Sequence, residues 1–280
     1  MPVLGLAAGL AVLASHVPAS LVLAQTTPAA PAMPLLAHRA SYMLGLDASK
    51  PSVKLESANG RIDYEIKGDA CKGYDVKLHQ ANEVDTGEGA TAKSDMLSTS
   101  WEDGDGKSYR FQTVNRTGSR VSSDVAATVN RVPDGLSIDV TKPRRELLEL
   151  KGQILLPTQH VMKVLDAARR NETTLEARVF DGSDDGDKVY DTLAVIGQGT
   201  KDARNLPDAA KLVLSGITYY PVSVSYFDAG SDSQTPAYVM SMTLYENGVI
   251  GDMKIDYNDF ILRGRIETLE TLPASEGCQR

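Results

Sequence analysis

The stretch FDGSDDGDKVYD, Phe180 to Asp191, holds five aspartates in twelve residues. Three arrangements use carboxylates at that density: a calcium loop, a set of catalytic acids, and a solvated turn between two strands. A calcium loop of the EF-hand kind takes oxygen ligands at positions 1, 3 and 5, glycine at 6 and glutamate at 12. Asp181, Ser183, Asp185 and Gly186 fit the first half, but position 12 is Thr192. The flanks, LEARVF and KVYDTLAVI, read as strands where that motif needs helices. Catalytic acids need two carboxylates whose surroundings drive their pKa values apart, and clustered exposed aspartates all stay ionised. The turn needs only Asp and Gly between two alternating runs. The stretch therefore reads as a solvated hairpin tip, its charge also guarding against edge pairing.

Other chemistry is sparse. There is no G-x-S-x-G, no HExxH, no CxxC and no phosphate loop. His38, His79 and His160 are far apart in the chain. His160 opens a helical segment, where a packed or capping role is the plainer reading than a general base. His79 falls on the polar face of its strand. A hydrolase site of non-standard type would have to be built on His160, or on Glu102 and Asp105, and nothing in their spacing brings them together. Trp101 and Tyr64, Tyr74, Tyr109, Tyr219, Tyr220, Tyr226, Tyr245 and Tyr257 can line a ligand pocket. Sheet core and cross-strand pairs are the simpler assignment.

The first 37 residues carry no Asp, Glu, Lys or Arg. MPVLGLAAGLAVLASHVPASLVLAQ reads as a signal peptide over residues 1–24, with Val22-Leu23-Ala24 at the cleavage site. A buried N-terminal helix and an uncleaved anchor are the alternatives; His16 and Pro18 inside the run weigh against the anchor. Residues 25–34 read as a flexible linker, and 35–280 as a single domain with no transmembrane segment. The net charge of −8 argues against nucleic acid and against broad attraction to anionic membranes. Two cysteines are present, Cys71 and Cys278. In an exported chain an even count favours a disulfide over two free thiols. That bond closes a loop of about 200 residues, worth roughly 5 kcal/mol in the chain-entropy model before strain. Two cysteines without neighbouring histidine pairs make a poor zinc site, and no cofactor is expected.

The elements that must position these residues are mostly strands. Ile62, Tyr64 and Ile66 alternate with Arg61, Asp63, Glu65 and Lys67; Tyr74, Val76 and Leu78 alternate with Asp75, Lys77 and His79. MSMTLY and MKIDY repeat the pattern around Met240, Met242, Leu244, Met253, Ile255 and Tyr257. One wet face and one apolar face belong to antiparallel sheets. Asn59-Gly60, Asn247-Gly248, Asp105-Gly106 and Asp134-Gly135 are the expected turns. About a dozen strands follow from this patterning. One packing helix is expected over about residues 157–170, with Pro157 in its first turn, and a weaker one over Pro207–Leu214. The fold class is mainly β: a large antiparallel sheet closed as a barrel, or curled with the helix filling the open side.

Eight stretches, in order, resemble one family. They are LLAHRASYMLGLD, GRIDYEIKGDACKGYDVKL, SWEDGDGKSYRFQ, LPTQHVMKVL, FDGSDDGDKVYDT, YYPVSVSYFD, LYENGVIGDMKIDYNDFILRGRI and EGCQR. The chain resembles the cell-envelope integrity EipB family of alphaproteobacteria from about Leu35 to Cys278, and the ordered set carries the likeness. The resemblance implies a periplasmic β-spiral, similar in shape to periplasmic lipoprotein carriers, with a disulfide that falls here on Cys71 and Cys278. It carries over no catalytic residue. The departure is the N-terminus, where the run lacks a basic residue ahead of it.

The expectation is a non-enzymatic periplasmic protein that maintains envelope integrity by binding an envelope component or a partner protein. The alternative is a lipid or lipoprotein carrier holding acyl chains in the curled sheet. The ligand-binding residues are not fixed by the sequence.

Overall fold

Strict alternation over long runs forces each strand to show one face to water and one to the interior, and the computed structural model follows it around one continuous sheet. It describes residues 33–50, 55–87, 91–201 and 206–275. The expected signal peptide, the linker up to residue 32 and Cys278 lie outside the described residues.

Fifteen strands are formed by the described residues. The first eight are β1 (His38–Leu46), β2 (Ser57–Asp69), β3 (Gly73–Asp85), β4 (Ala92–Glu102), β5 (Ser108–Thr117), β6 (Arg120–Val132), β7 (Gly135–Lys142) and β8 (Glu146–Lys151). The short β9 (Ile154–Leu155) leads into helix α1 (Pro157–Arg169). β10 (Thr174–Phe180), β11 (Val189–Ile196), helix α2 (Asp208–Leu214), β12 (Tyr219–Asp228), β13 (Tyr238–Tyr245), β14 (Ile250–Asp256) and β15 (Ile261–Thr271) complete the fold. The spatial order is β8-β7-β6-β5-β4-β3-β2-β1-β15-β14-β13-β12-β11-β10-β9. Two antiparallel meanders thus hang from β1, which pairs with β2 on one side and β15 on the other. The parallel pair is β9 with β10, through two residues. The sheet is nearly closed into a barrel, with one unsealed seam between its end strands.

The ends are drawn together by packing. Ile154 and Phe180 from one end join Tyr109, Phe111, Val129 and Ile138 from the other in a single buried cluster. Phe180 is fully buried, its ring 6.1 Å from that of Tyr109 and 5.9 Å from that of Phe111.

Both helices lie against the inner face. Ala210 and Leu214 of α2 cluster with Tyr42, Leu44, Ile266 and Leu269. Val164, Leu165, Ala167 and Ala168 of α1 cluster with Ala194, Ile196, Val222 and Leu244. The expected single packing helix is therefore one of two: α1 spans 157–169, and the segment expected as the weaker helix forms α2.

Two turn expectations are corrected. Asn59-Gly60 lies inside β2 and pairs with β3, Gly60 opposite Asn82. A side chain at Gly60 would collide with Asn82 and the Ala81 carbonyl. Glycine there serves close approach between strands. Asn247-Gly248 and Asp105-Gly106 do sit between consecutive strands, whereas the turn expected at Asp134-Gly135 falls on Pro133-Asp134, Gly135 opening β7 opposite Val132.

The outer face is charged. Arg39 and Lys67 meet Glu65 at 2.6 and 2.8 Å, Arg61 meets Asp63 at 2.8 Å, and Lys142 meets Asp124 at 2.8 Å. A barrel with charges outside and apolar residues inside inverts the plan of a membrane-spanning barrel, whose outward band is apolar. Among the described residues no helix is long and apolar enough to cross a membrane.

Candidate functional site

The residues that might have made a hydrolase do not converge. Glu102, at the end of β4, is 1% exposed and caps α1. Its carboxylate accepts the amide protons of Thr158 at 2.7 Å and Gln159 at 2.9 Å. The reason is local: Leu156 holds the N-cap position and has no side-chain acceptor, so a strand 56 residues earlier supplies one. Gln159 reaches back to the Leu156 amide at 3.2 Å and accepts from Arg131 at 3.0 Å. Burial pushes the Glu102 carboxyl above its ordinary value, and the two helix amides pull it back in part. Asp105 faces outward in its turn, 2.8 Å from Lys107. His160 is buried in the first turn of α1 with no hydrogen-bond partner for Nε2. Burial brings its pKa down to about 4, so it is neutral and far from the role of a base at neutral pH.

The other candidates also take structural places. His38 is 2% exposed, with Nδ1 2.8 Å from the Leu36 carbonyl and a pKa lowered by burial. His79 stands outside, 2.6 Å from Asp95. Trp101 is on the outer face beneath the Arg110 guanidinium, 4.6 Å from the ring centre, and donates to the Lys72 carbonyl. Tyr74, Tyr109, Tyr220 and Tyr245 are core.

The acidic stretch is a turn between β10 and β11, as its composition implies, but only its aspartates are solvated. Gly182 and Gly186 are buried. A Cβ on Gly182 would lie 2.7 Å from Phe111, and one on Gly186 3.2 Å from Val125. The loop thus presses its glycines onto β5 and β6 of the opposite wall while Asp184 and Asp185 point out. Among the described residues no group of three or more His, Cys, Asp or Glu is placed to hold a metal ion.

What the topology does assemble is the inner wall. Paired residues on neighbouring strands share a face, so the register traces it. Leu44 pairs with Gly264, Gly264 with Met253, Met253 with Met242 and Met242 with Val222. Several apolar residues on this face are covered only in part. Tyr64, Leu78, Met240 and Met242 are only partly buried although they point inward. The geometry agrees: eight strands enclose a space that side chains fill, and a larger strand number leaves room beyond it.

The two sides of that wall differ in chemistry. On β11 to β15 it is aromatic and thioether. Tyr226 and Tyr238 stack with centroids 4.4 Å apart and planes 14° apart. Tyr190 meets both edge-on at 5.7 Å. Tyr257 lies 5.9 Å from Tyr238, and Phe260 lies 5.1 Å from Tyr257. Five rings, from β11, β12, β13 and the turn between β14 and β15, form one ribbon in phase with Met240 and Met242. Burial raises the pKa of Tyr226 to about 12 and that of Tyr238 further, with Asp181 nearby adding to both, so the phenols stay neutral. Tyr190 and Tyr238 are absent from the tyrosine set singled out by the sequence, although Tyr238 is in phase with Met240 and Met242.

On β3 to β5, short of Glu102 at the end of β4, the inward positions include a polar stretch without charge. Ile62 pairs with Gln80, Gln80 with Met96, Met96 with Asn115 and Asn115 with Ser123. One step along, Gly60, Asn82 and Ser94 align, and on the other side Leu78, Ser98 and Thr113. Gln80 donates to Asn82 at 3.2 Å, Asn82 to Ser94 at 3.3 Å, and the Ser98 and Thr113 hydroxyls are 2.9 Å apart. The charged residues of the same strands, Lys77, Glu83, Asp95 and Arg116, occupy the alternate, outward positions.

Comparison with known proteins places this architecture. A family model described as EipB-like matches residues 29–273. A cell envelope integrity protein, EipB, from Brucella abortus (strain 2308) is 31% identical over 263 residues, covering 90% of this chain and 91% of that protein. A crystal structure of a β-barrel-like protein of a domain of unknown function from Brucella abortus superposes with a TM-score of 0.80 at 29% identity. It covers 86% of this chain and 100% of that one.

Proposed function

The chain belongs to the EipB-like family, and from that premise we propose that it is a non-enzymatic periplasmic protein that maintains the integrity of the cell envelope by binding an envelope component inside the curl of its sheet. The relative that is 31% identical is named for cell envelope integrity. The observation that carries the binding part is the inward wall of Tyr64, Leu78, Met240 and Met242, apolar yet only partly buried. A folded chain covers such surface unless something else does. An acyl chain has the chemistry to lie along it.

The export reading rests on the apolar, uncharged run of residues 1–24 and on the disulfide. In this reading Cys71 and Cys278 are bonded. Asp69 accepts from the Cys71 and Lys72 amides at 2.7 and 2.8 Å and also from the Ser275 hydroxyl. The chain therefore runs past the turn of Cys71 three residues before Cys278, and three residues reach about 10 Å. A mass two hydrogen atoms below that of the reduced chain, and a Cys71–Cys278 peptide in a non-reducing digest, are expected; two free thiols after periplasmic expression would refute the bond.

The binding reading is tested with a neutral apolar fluorophore, 1-N-phenylnaphthylamine. The folded protein is expected to brighten it saturably, and Met240→Glu, which sets a charge on the wall, to reduce that at least tenfold. Equal brightening by both proteins would remove the wall from the function. A protein partner is the second reading, favoured by the seam. There β8 ends the sheet among the described residues, and a cleft of about 550 Å³ lies beside β10, lined by Gln153, Glu176, Arg178, Asp191, Leu193 and Phe227.

A further inference from the structure

The division of the inner wall says which amphiphile fits it. An acyl chain accounts for the ribbon of Tyr190, Tyr226 and Tyr238 with Met240 and Met242, but it gives no reason for a ladder of amides and hydroxyls on the facing strands. An interior made only to pack would carry Val, Ile and Leu there, as β7 does at Leu136, Ile138 and Val140. In their place Gln80, Asn82, Asn115, Ser98 and Thr113 face inward, each only partly buried. Buried or half-buried polar groups are retained where something hydrogen-bonds to them. Gln80, Asn82, Ser98 and Thr113 make some of those bonds among themselves, and amide and hydroxyl groups have further donors and acceptors to offer.

The ladder is also free of charge. Along Val76–Val84 of β3, Ser94–Ser100 of β4 and Phe111–Asn115 of β5, no Asp, Glu, Lys or Arg takes an inward position. The inward charges of this wall nearest the helix, Glu102 and Arg131, are committed. Glu102 holds the α1 amides, and Arg131 donates to the carbonyls of Gly106 and Ile154 and to Gln159. A phosphate or carboxylate headgroup seated here would shed hydration with no free cation among the described residues of the ladder to meet it. The aromatic end is no better for an anion: Asp181 and Asp228 stand near the ring of Tyr190, with Lys188 already 2.6 Å from Asp228.

We propose that the curl holds a single-chain or multi-chain amphiphile with an uncharged, hydroxyl- or amide-bearing headgroup, the headgroup on the Gln80–Asn82–Ser98–Thr113 ladder and the acyl part on the Tyr226–Tyr238–Met240–Met242 wall. Glycolipids and acylglycerols share that chemistry. The inference rests on the curl being a binding site, and the experiment separates the two.

Bound 1-N-phenylnaphthylamine is displaced by three sixteen-carbon competitors, each below its micelle-forming concentration: monopalmitoylglycerol, palmitate and palmitoyl lysophosphatidylglycerol. Monopalmitoylglycerol is expected to displace the probe at concentrations at least tenfold lower than either anion. The double variant Ser98→Ala with Thr113→Val deletes two hydroxyls, keeps the branched shape at position 113 and adds no bulk at position 98. It is expected to weaken monopalmitoylglycerol at least fivefold while leaving the affinity for the probe unchanged. In Ser98→Lys the order is expected to reverse in favour of the lysophospholipid. Equal displacement by all three lipids, tighter binding of an anion to the wild-type protein, or no effect of the double variant would each overturn the headgroup assignment while the curl remained a binding site. No uptake of the probe at all would overturn the binding reading and this inference with it.

Discussion

The wall from β2 to β6 and the wall from β11 to β15 obey one rule of alternation, but they are finished differently inside. The second is aromatic and thioether around Tyr226, Tyr238 and Met240, and partly roofed by α1. The first holds Gln80, Asn82, Ser98 and Thr113 at positions in phase with Ile62, Tyr64 and Leu78. Beyond Thr113 the same wall turns apolar again and closes against Phe180. Alternation therefore says which side chains enter the curl. It does not say whether they are there to pack or to meet a ligand; the degree of exposure separates the two.

The comparison breaks first where the walls touch. Phe180→Ala removes the ring that joins β10 to Tyr109 and Phe111, and should cost roughly 3–5 kcal/mol in a denaturant titration. A loss below about 1 kcal/mol would mean the ends of the sheet are not held by this cluster.

A pH titration reads the burial of the helix. His160 has its folded pKa lowered from 6.5 to about 4. Between those values the unfolded chain binds the additional proton, so stability rises with pH. The full contribution is present above about 6.5 and is lost as pH falls toward 4, a change of about 3 kcal/mol. His38 acts in the same direction. Glu102, with its pKa raised, acts oppositely just above its ordinary range, since its folded form holds the proton longer. His160→Phe should flatten most of the slope between pH 4 and 6.5, and an unchanged slope would place the sensitivity elsewhere.

Glu102→Ala strips the acceptors from two helix amides and should cost about 2 kcal/mol, with Glu102→Gln milder because one oxygen remains. Thermal unfolding of the pair measures this, and equal stability of wild type and Glu102→Ala would show that water replaces the cap. The smallest effect sharpens the comparison most. Met240→Ala, on the open wall, should cost below about 1 kcal/mol in stability yet weaken binding of 1-N-phenylnaphthylamine severalfold. A large stability loss with unchanged binding would make Met240 core.

Much of this was legible in the sequence because period-2 runs survive folding intact. Ile62, Tyr64 and Ile66 face inward as their spacing implies, and the Asn247-Gly248 turn falls between β13 and β14. Asn59-Gly60 misled because glycine serves close approach as well as turns, and only the neighbouring strand reveals which. The aromatic ribbon was half visible. Tyr226 and Tyr257 belonged to the set singled out, whereas Tyr190 and Tyr238 join it only through the order of β11, β12 and β13. The polar ladder begins at Gln80, just past the run YDVKLH, where a polar residue in an inward position ends the apparent pattern. The cap from Glu102 to α1 bridges 56 residues, and no local signal marks it.

The most direct measurement is a native mass of the protein isolated from an oxidising periplasm, taken beside a lipid extract of the same sample. The account predicts a stoichiometric acyl-bearing species on the wild-type protein, absent from Met240→Glu at equal folded yield. A clean unliganded mass for both, persisting after incubation with an envelope lipid extract, would contradict a binding role for the curl and move the function to the outer surface and the seam.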